Sequence, residues 1–418
     1  MKLRLLFPSL LLLCVLWHVP AQAQPTEIAG SIAEASQMLK ARSALTPRTD
    51  ETFKSVTLAA LDPESGAMQL LPLSKELFLT KGAEITAPTS LGHTARVTVL
   101  RANGVNTAVT VLDTATGRQL VPLVVEYPIE KSGELREMAY YTSVHPALLS
   151  QEVVTGGETY VRTMLDRAAA SLRAGGVEIA PDIVDVAEHL CVVEHTDHKR
   201  FLNEDRAALF NEIYSLYALN EPNTFRYSVS VAGAGGMVQM IPQTYQMVRE
   251  RHPNVSLNPD FVPGMTDHNN ALSAMLLYMQ DTWDDLLRNP EVRDALAQGI
   301  ATQPELVAAG YNSNPARLPR YLQRGGTLWR THIPTETRMY LQIYGSLDQK
   351  ISFKPRTAQQ PDGLAANNSN TNNTLLGTSL NQLRRNATNG LVARMAQLLP
   401  ALSNQLLLNS TLLTHGLR

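Results

Sequence analysis

The sequence predicts an α+β chain of two folded units, a small antiparallel β-sandwich-like domain followed by an all-α domain. Three observations predict this. A length of 418 residues exceeds what one hydrophobic core usually supports. From Phe53 to about residue 130, apolar and polar residues alternate between turn formers, the pattern of half-buried strands. From about residue 155 the apolar period lengthens to three and four, the pattern of amphipathic helices.

The elements follow in order. Lys2 and Arg4 precede the apolar run LLFPSLLLLCVLW, and Ala21-Gln22-Ala23 has the small-x-small form a signal peptidase cleaves. Residues 1–23 therefore read as a signal peptide cut after Ala23, and the protein is expected to be exported to the periplasm or cell envelope. The run is too short to span a bilayer, and no later stretch approaches about 18–20 continuous apolar residues. Leu13 before Cys14 is not the small residue lipoprotein processing requires. Cleavage leaves Cys191 alone, which excludes an intramolecular disulfide. Residues 24–50 read as a leader.

In the β-rich unit, 51–130, Asn103-Gly104 separates ARVTVLRA from VNTAVTVLD, and Thr116-Gly117 follows, both hairpin turn signals. Nothing there gathers catalytic side chains, so docking to an envelope partner or to the cell wall is the expected role. The α-helical unit, 155–350, contains ETYVRTMLDRAAASLRA, PDIVDVAEHLCVVEHTDHKRFL and later segments opened or closed by Pro, Asp, Asn or Gly. Residues 351–418 read as an Asn-rich linker, AANNSNTNNT, with an amphipathic tail. With 36 basic against 38 acidic residues and no charge run, nucleic acid is excluded as a partner.

One helix carries the chemistry. Ile183, Ala187, Leu190, Cys191, Glu194, His198 and Phe201 fall at spacings of three and four, so Glu194 interrupts an apolar stripe. A carboxylate in apolar surroundings either finds a partner, backbone donors or an arginine, or takes a raised pKa and stays protonated near neutrality, as a general acid must. His189, Cys191, His195 and His198 crowd the same helix, but their spacing matches neither a two-His protease helix nor a two-Cys zinc pair, and no metal is expected.

Three further segments follow Glu194: Ser230 to Thr244, with Gly233-Ala234, Gly236-Met237-Val238-Gln239, Pro242 and Thr244; then Gly310-Tyr311-Asn312; then Glu336-Thr337-Arg338-Met339-Tyr340. In this order, over about 180–350, they resemble the soluble lytic transglycosylase family, whose catalytic domain has the lysozyme-like α fold. Three departures stand out. His195 follows the glutamate where the family commonly has Ser, a change placed where the substrate's acyl or peptide part is gripped. Some 40 residues separate Glu194 from the glycine-rich segment, so roughly 204–226 reads as an inserted helix. Gly310 replaces Ala.

The resemblance implies that Glu194 is the catalytic residue and that peptidoglycan glycan strands are the substrate. Gly233, Gly235 and Gly236 let a sugar approach the backbone. Met237 is expected to give a soft apolar wall and Gln239 an amide for an acetamido or peptide group. Pro242 suits the first turn of a helix. Tyr311 is expected to hydrogen-bond Glu194, and Asn312 to read substrate. For Tyr340, core packing and cleft lining stand nearly level.

The implied chemistry uses one acid where ordinary glycosidases use two. Glu194 protonates the oxygen leaving N-acetylmuramic acid and then takes the proton from that sugar's C6 hydroxyl, giving a 1,6-anhydro ring. No cofactor is implied. No second cleft acid is obvious, although Asp197 and Glu204 lie near in sequence. A hydrolytic lysozyme-type muramidase and a non-catalytic peptidoglycan-binding protein remain the alternatives.

Overall fold

The computed structural model describes residues 25–45, 53–131 and 133–357. The expected signal peptide and residues 358–418 of the expected linker and tail lie outside the described residues. The fold is mixed, an N-terminal antiparallel sheet followed by a helical region. Among the described residues, no helix is long and apolar enough to cross a membrane.

The leader contains a helix, α1 (Pro25–Leu45). The strands are β1 (Ser55–Leu61), β2 (Met68–Ser74), β3 (Glu84–Pro88), β4 (Thr94–Arg101), β5 (Ala108–Asp113), β6 (Gln119–Lys131) and β7 (Glu134–Tyr141), with a short helix α2 (Lys75–Phe78) between β2 and β3. They form one sheet, in the order β2-β1-β6-β5-β4-β3, with β7 also paired to β6. The sheet thus runs on to Tyr141, beyond the expected limit at 130.

The thirteen-residue strand β6 explains how one sheet does what was expected of a sandwich. Its start pairs with β5 at Gln119 and Leu120, while its second half pairs with β1 and β7 on opposite edges, as at Val125 between Leu58 and Tyr141. The ends of the order then approach each other, Ser90 N–H donating to Leu70 O at 3.0 Å, so the sheet is nearly barrel-like. Val56, Leu58, Leu71, Val97, Val111 and Val125 pack in one buried cluster of this unit. Helix α1 covers a second cluster, with Ala35 and Leu39 against Ala59, Leu123 and Val124.

The helical region comprises α3 (Gln151–Ala174), α4 (Pro181–Val193), α5 (His198–Asn203), α6 (Arg206–Asn220), α7 (Pro242–Arg251), α8 (Phe261–Thr266), α9 (His268–Leu287), α10 (Pro290–Ala297), α11 (Gln303–Asn312), α12 (Leu318–Gly325) and α13 (Thr335–Lys350). Its core draws Val161 and Leu165 of α3, Ala187 and Leu190 of α4, Leu276 of α9, Val307 of α11 and Ile343 of α13 into one cluster.

Helix α6 occupies the segment expected to be an insert, and it joins the two regions. Phe210, Tyr214 and Tyr217 belong to the helical core, while Leu216 belongs to the core of the sheet. Asn220 binds the end of β7 through both amide atoms, accepting from Thr142 N–H at 2.8 Å and donating to Thr142 O at 2.9 Å. Where α6 crosses α3, Gly157 is required: a Cβ there would stand 1.8 Å from Tyr214 O.

Candidate active site

The apolar stripe through Glu194 does not belong to one helix. Helix α4 starts at Pro181, which fills a position needing no N–H, and ends at Val193, with Glu194 as its C-cap. It stops because local groups take the carbonyls that a further turn would use. His195 N–H donates to Val192 O, Thr196 N–H to Val193 O, and the Thr196 hydroxyl to Val192 O at 2.9 Å. Asp197 then caps a new helix, α5, accepting from Arg200 N–H at 2.8 Å. His198 therefore lies on α5 and is exposed, not on a face shared with Glu194. Sequence spacing alone could not show the break, because the stripe keeps its phase across it.

Four segments converge on a cleft of about 950 Å³, lined by Glu194, Gln239, Met240, Tyr311, Asn312 and Glu336 among others. The size suits a site for a sizeable organic ligand. The Glu194 carboxyl lines this cleft while most of its surroundings are protein. Burial raises its pKa to about 8, an effect that a hydrogen bond from Tyr340 opposes and the charge of Glu336 reinforces. The bond is short: the Tyr340 phenol donates to Glu194 Oε1 at 2.6 Å. Tyr340 is itself buried, at 2% exposure, so it reaches the acid from the core side of α13. Among the described residues, Glu194 has no arginine partner.

Tyr311 does not make the expected bond to Glu194. Its hydroxyl donates to Val238 O at 2.7 Å. His195 makes the companion bond one residue earlier, Nε2–H donating to Met237 O at 2.9 Å. A carbonyl can only accept, which fixes the proton on that nitrogen. Two side chains thus hold successive carbonyls of the glycine-rich loop, a positioning role for both. His195 does not grip substrate through that nitrogen. Its ring also lies on Phe225, with centroids 3.5 Å apart and planes 3° apart, and burial lowers its pKa to about 3.

Within the loop, Met237 is fully buried in the helical core and gives no cleft wall; Met240 lines the cleft instead. Gly236 is not an opening for a sugar. It has φ of +69°, and a Cβ there would lie 2.2 Å from Met265 O, so a close backbone contact demands the glycine. Gln239 takes a positive φ of 47°, uncommon for a side-chain-bearing residue. Its amide holds that conformation by donating to Gly236 O at 2.9 Å and Ser228 Oγ at 3.2 Å, leaving the amide oxygen for a ligand. Pro242 opens α7. Asn312 ends α11, and its amide oxygen accepts from the Thr337 hydroxyl of α13 at 2.9 Å, which leaves its NH2 toward the cleft.

Glu336 received no role from the sequence, yet it is exposed and lines the Glu194 cleft. The signal was present, since it stands four residues before Tyr340 on one helix and hence on the same face. Of the two acids near in sequence, Asp197 caps α5 and lines a neighbouring groove that Glu194 also borders, and Glu204 pairs with Arg200.

The four histidine and cysteine side chains around Glu194 diverge. His189 is stacked beside Phe353 and Tyr344 in the core, Cys191 is a free buried thiol, His195 binds the loop and His198 is exposed. Among the described residues, no group of three His, Cys, Asp or Glu side chains is arranged to hold a metal.

Comparison of the chain with protein-family models, with curated proteins and with solved structures gives no match.

Proposed function

We propose that this chain is a peptidoglycan lytic transglycosylase that cleaves the bond between N-acetylmuramic acid and N-acetylglucosamine with Glu194 as its single acid and base, its helical region being lysozyme-like. The observation that carries the reading is a glutamic acid at a ligand-sized cleft, its pKa raised to about 8 and its carboxyl oriented by Tyr340. A group with that pKa is protonated at neutral pH and near enough to ionisation to release its proton, which is the tuning a general acid needs. An exported location and a role of the β-rich unit or the tail toward an envelope partner belong to the same proposal.

The steps balance without cofactor or water. Glu194 gives its proton to the bridging oxygen as the C1–O bond of the muramic sugar breaks, and positive charge develops on that ring. The carboxylate left behind takes the proton of the same sugar's C6 hydroxyl as that oxygen closes on C1. The 1,6-anhydro ring forms and Glu194 is protonated again. Tyr340 keeps the acting oxygen in place through both transfers, while the amide groups of Gln239 and Asn312 face the substrate.

One observation favours a second reading. Glu336 lines the same cleft, and a second carboxylate is what hydrolysis of lysozyme type requires. Digestion of purified peptidoglycan by the wild type, Glu194→Gln and Glu336→Gln, with mass analysis of the fragments, decides among the readings. Anhydro ends that vanish only with Glu194→Gln support the transglycosylase. Reducing ends lost with either variant indicate the hydrolase. Binding of the wall without soluble fragments leaves neither.

A further inference from the structure

Glu194 borders two clefts. Besides the one described, a groove of about 690 Å³ runs between the sheet and the helical region, and Glu194 and His195 line it. The segment Ser228–Ser230 divides the two, with Ser228 and Val229 on the groove and Ser230 on the larger cleft. One wall is the turn between β4 and β5, where Asn103 and Gly104 sit; the other is α5 and α6. The walls are tied across the joint by charge: Glu212 of α6 accepts from Arg101 Nη1 of β4 at 2.9 Å and from both terminal nitrogens of Arg200 of α5, at 2.9 and 2.7 Å.

We propose that this groove is the second half of the substrate site, so that a linear N-acetylated glycan lies across Glu194 with one side in the helical cleft and the other against the β-rich unit. The inference rests on the transglycosylase reading and extends it, turning the sheet from a remote docking module into part of the enzyme's binding surface. A general acid acting on a bridge between two sugars needs both sugars held, and a cleft on only one side of Glu194 would hold one. The lining has the chemistry for a neutral sugar chain. Asn103 and Asn106 supply amides, Ser228 a hydroxyl, and Tyr127 and Tyr227 aromatic and phenolic surface. Arg101 and Arg200 are paired to Glu212, and Asp197 on the same lining accepts from the backbone of α5. The joining helix α6 then has a reason to exist: it fixes the sheet at a set distance from Glu194.

The test measures affinity against ligand length. Full-length Glu194→Gln, which cannot turn substrate over, is titrated calorimetrically with β-1,4-linked N-acetylglucosamine trimer and hexamer. The hexamer is expected to bind at least tenfold more tightly than the trimer. Asn103→Trp and Val229→Trp, both at exposed positions, are expected to bring that ratio to within about twofold of unity, with folding verified by circular dichroism. Equal affinities for the two ligands in the parent, or a ratio that both tryptophan variants leave intact, overturn the two-sided groove and spare the proposed activity. No binding of either saccharide overturns both.

Discussion

Removing the charge at Glu194 while keeping its shape tests whether the protein holds a proton there. In the unfolded chain this carboxyl ionises near its ordinary value of 4.5; in the folded state its pKa rises to about 8. Between those values the folded state binds the extra proton, so this residue lowers stability progressively as pH rises through that window. Below about pH 4.5 it has no effect, and above about pH 8 the loss is complete. At about 1.4 kcal/mol per pKa unit the shift corresponds to a ceiling of about 5 kcal/mol. Water entering the open cleft solvates the anion, so about 2–4 kcal/mol is the expected loss. Glu194→Gln does not ionise and still offers Tyr340 an acceptor. In urea unfolding its stability should equal that of the wild type at pH 4.5, exceed it at pH 7, and reach its full advantage by pH 9, with unchanged m values. A gap that stays flat from pH 4.5 to 9 would mean that Glu194 ionises like a solvent-exposed glutamate, and single-acid catalysis would lose its basis.

Other expectations follow from the same geometry. Activity should fall above about pH 8 as Glu194 loses its proton; Tyr340→Phe, which removes a donor to the anion, should move that limb upward, and Glu336→Gln, which removes a like charge, should move it downward, as pH profiles of kcat/KM will show. His195 has a folded pKa below its ordinary value, so its protonation favours the unfolded chain and stability drops as pH falls from about 6.5 toward 3. His195→Phe should flatten that acid dependence in unfolding titrations while costing about 1–3 kcal/mol at neutral pH, because Met237 O loses its donor. Gly236→Ala should cost more than about 2 kcal/mol, since it combines a positive φ with a clash at Met265 O, and a drop in thermal midpoint of only a degree or so would refute that.

The sequence carried the elements better than their closure. Alternation and the Asn103-Gly104 signal fix which strand residues face inward, but not whether the strands close into one sheet or face each other as two. That was decided by the length of β6, which serves three neighbours. The break after Glu194 was masked for a related reason: His198 and Phe201 continue the three-and-four spacing even though Asp197 starts a new helix. Gln239 and Asn312 could be placed at the cleft from their segments. Met237 could not be placed correctly, because it and Val238 both turn into the helical core before the loop reaches the cleft at Gln239. By sequence order the segment 204–226 reads as an inserted helix; Asn220, Leu216 and Glu212 show that it joins the sheet to the helices.

The position of Glu194 at a helix end bears on why the acid is there. At the C-cap of α4 it faces the negative end of the helix dipole, which disfavours its anion, as do burial and the Glu336 charge. Among the described residues, only the Tyr340 hydroxyl favours the anion directly. Three influences hold the proton on and one helps release it, and the opposing group comes from α13, a different element from the one that carries the acid. The tuning therefore depends on the packing of α13 against α4, where Leu190 and Ile343 share the core. A substitution that loosens this contact without touching the cleft, such as Ile343→Ala, lengthens the phenol–carboxyl bond and moves the ionisation of Glu194 upward together with the loss of stability. In a site whose acid was tuned by its own helix alone, that substitution would lower stability and leave the pH profile where it was.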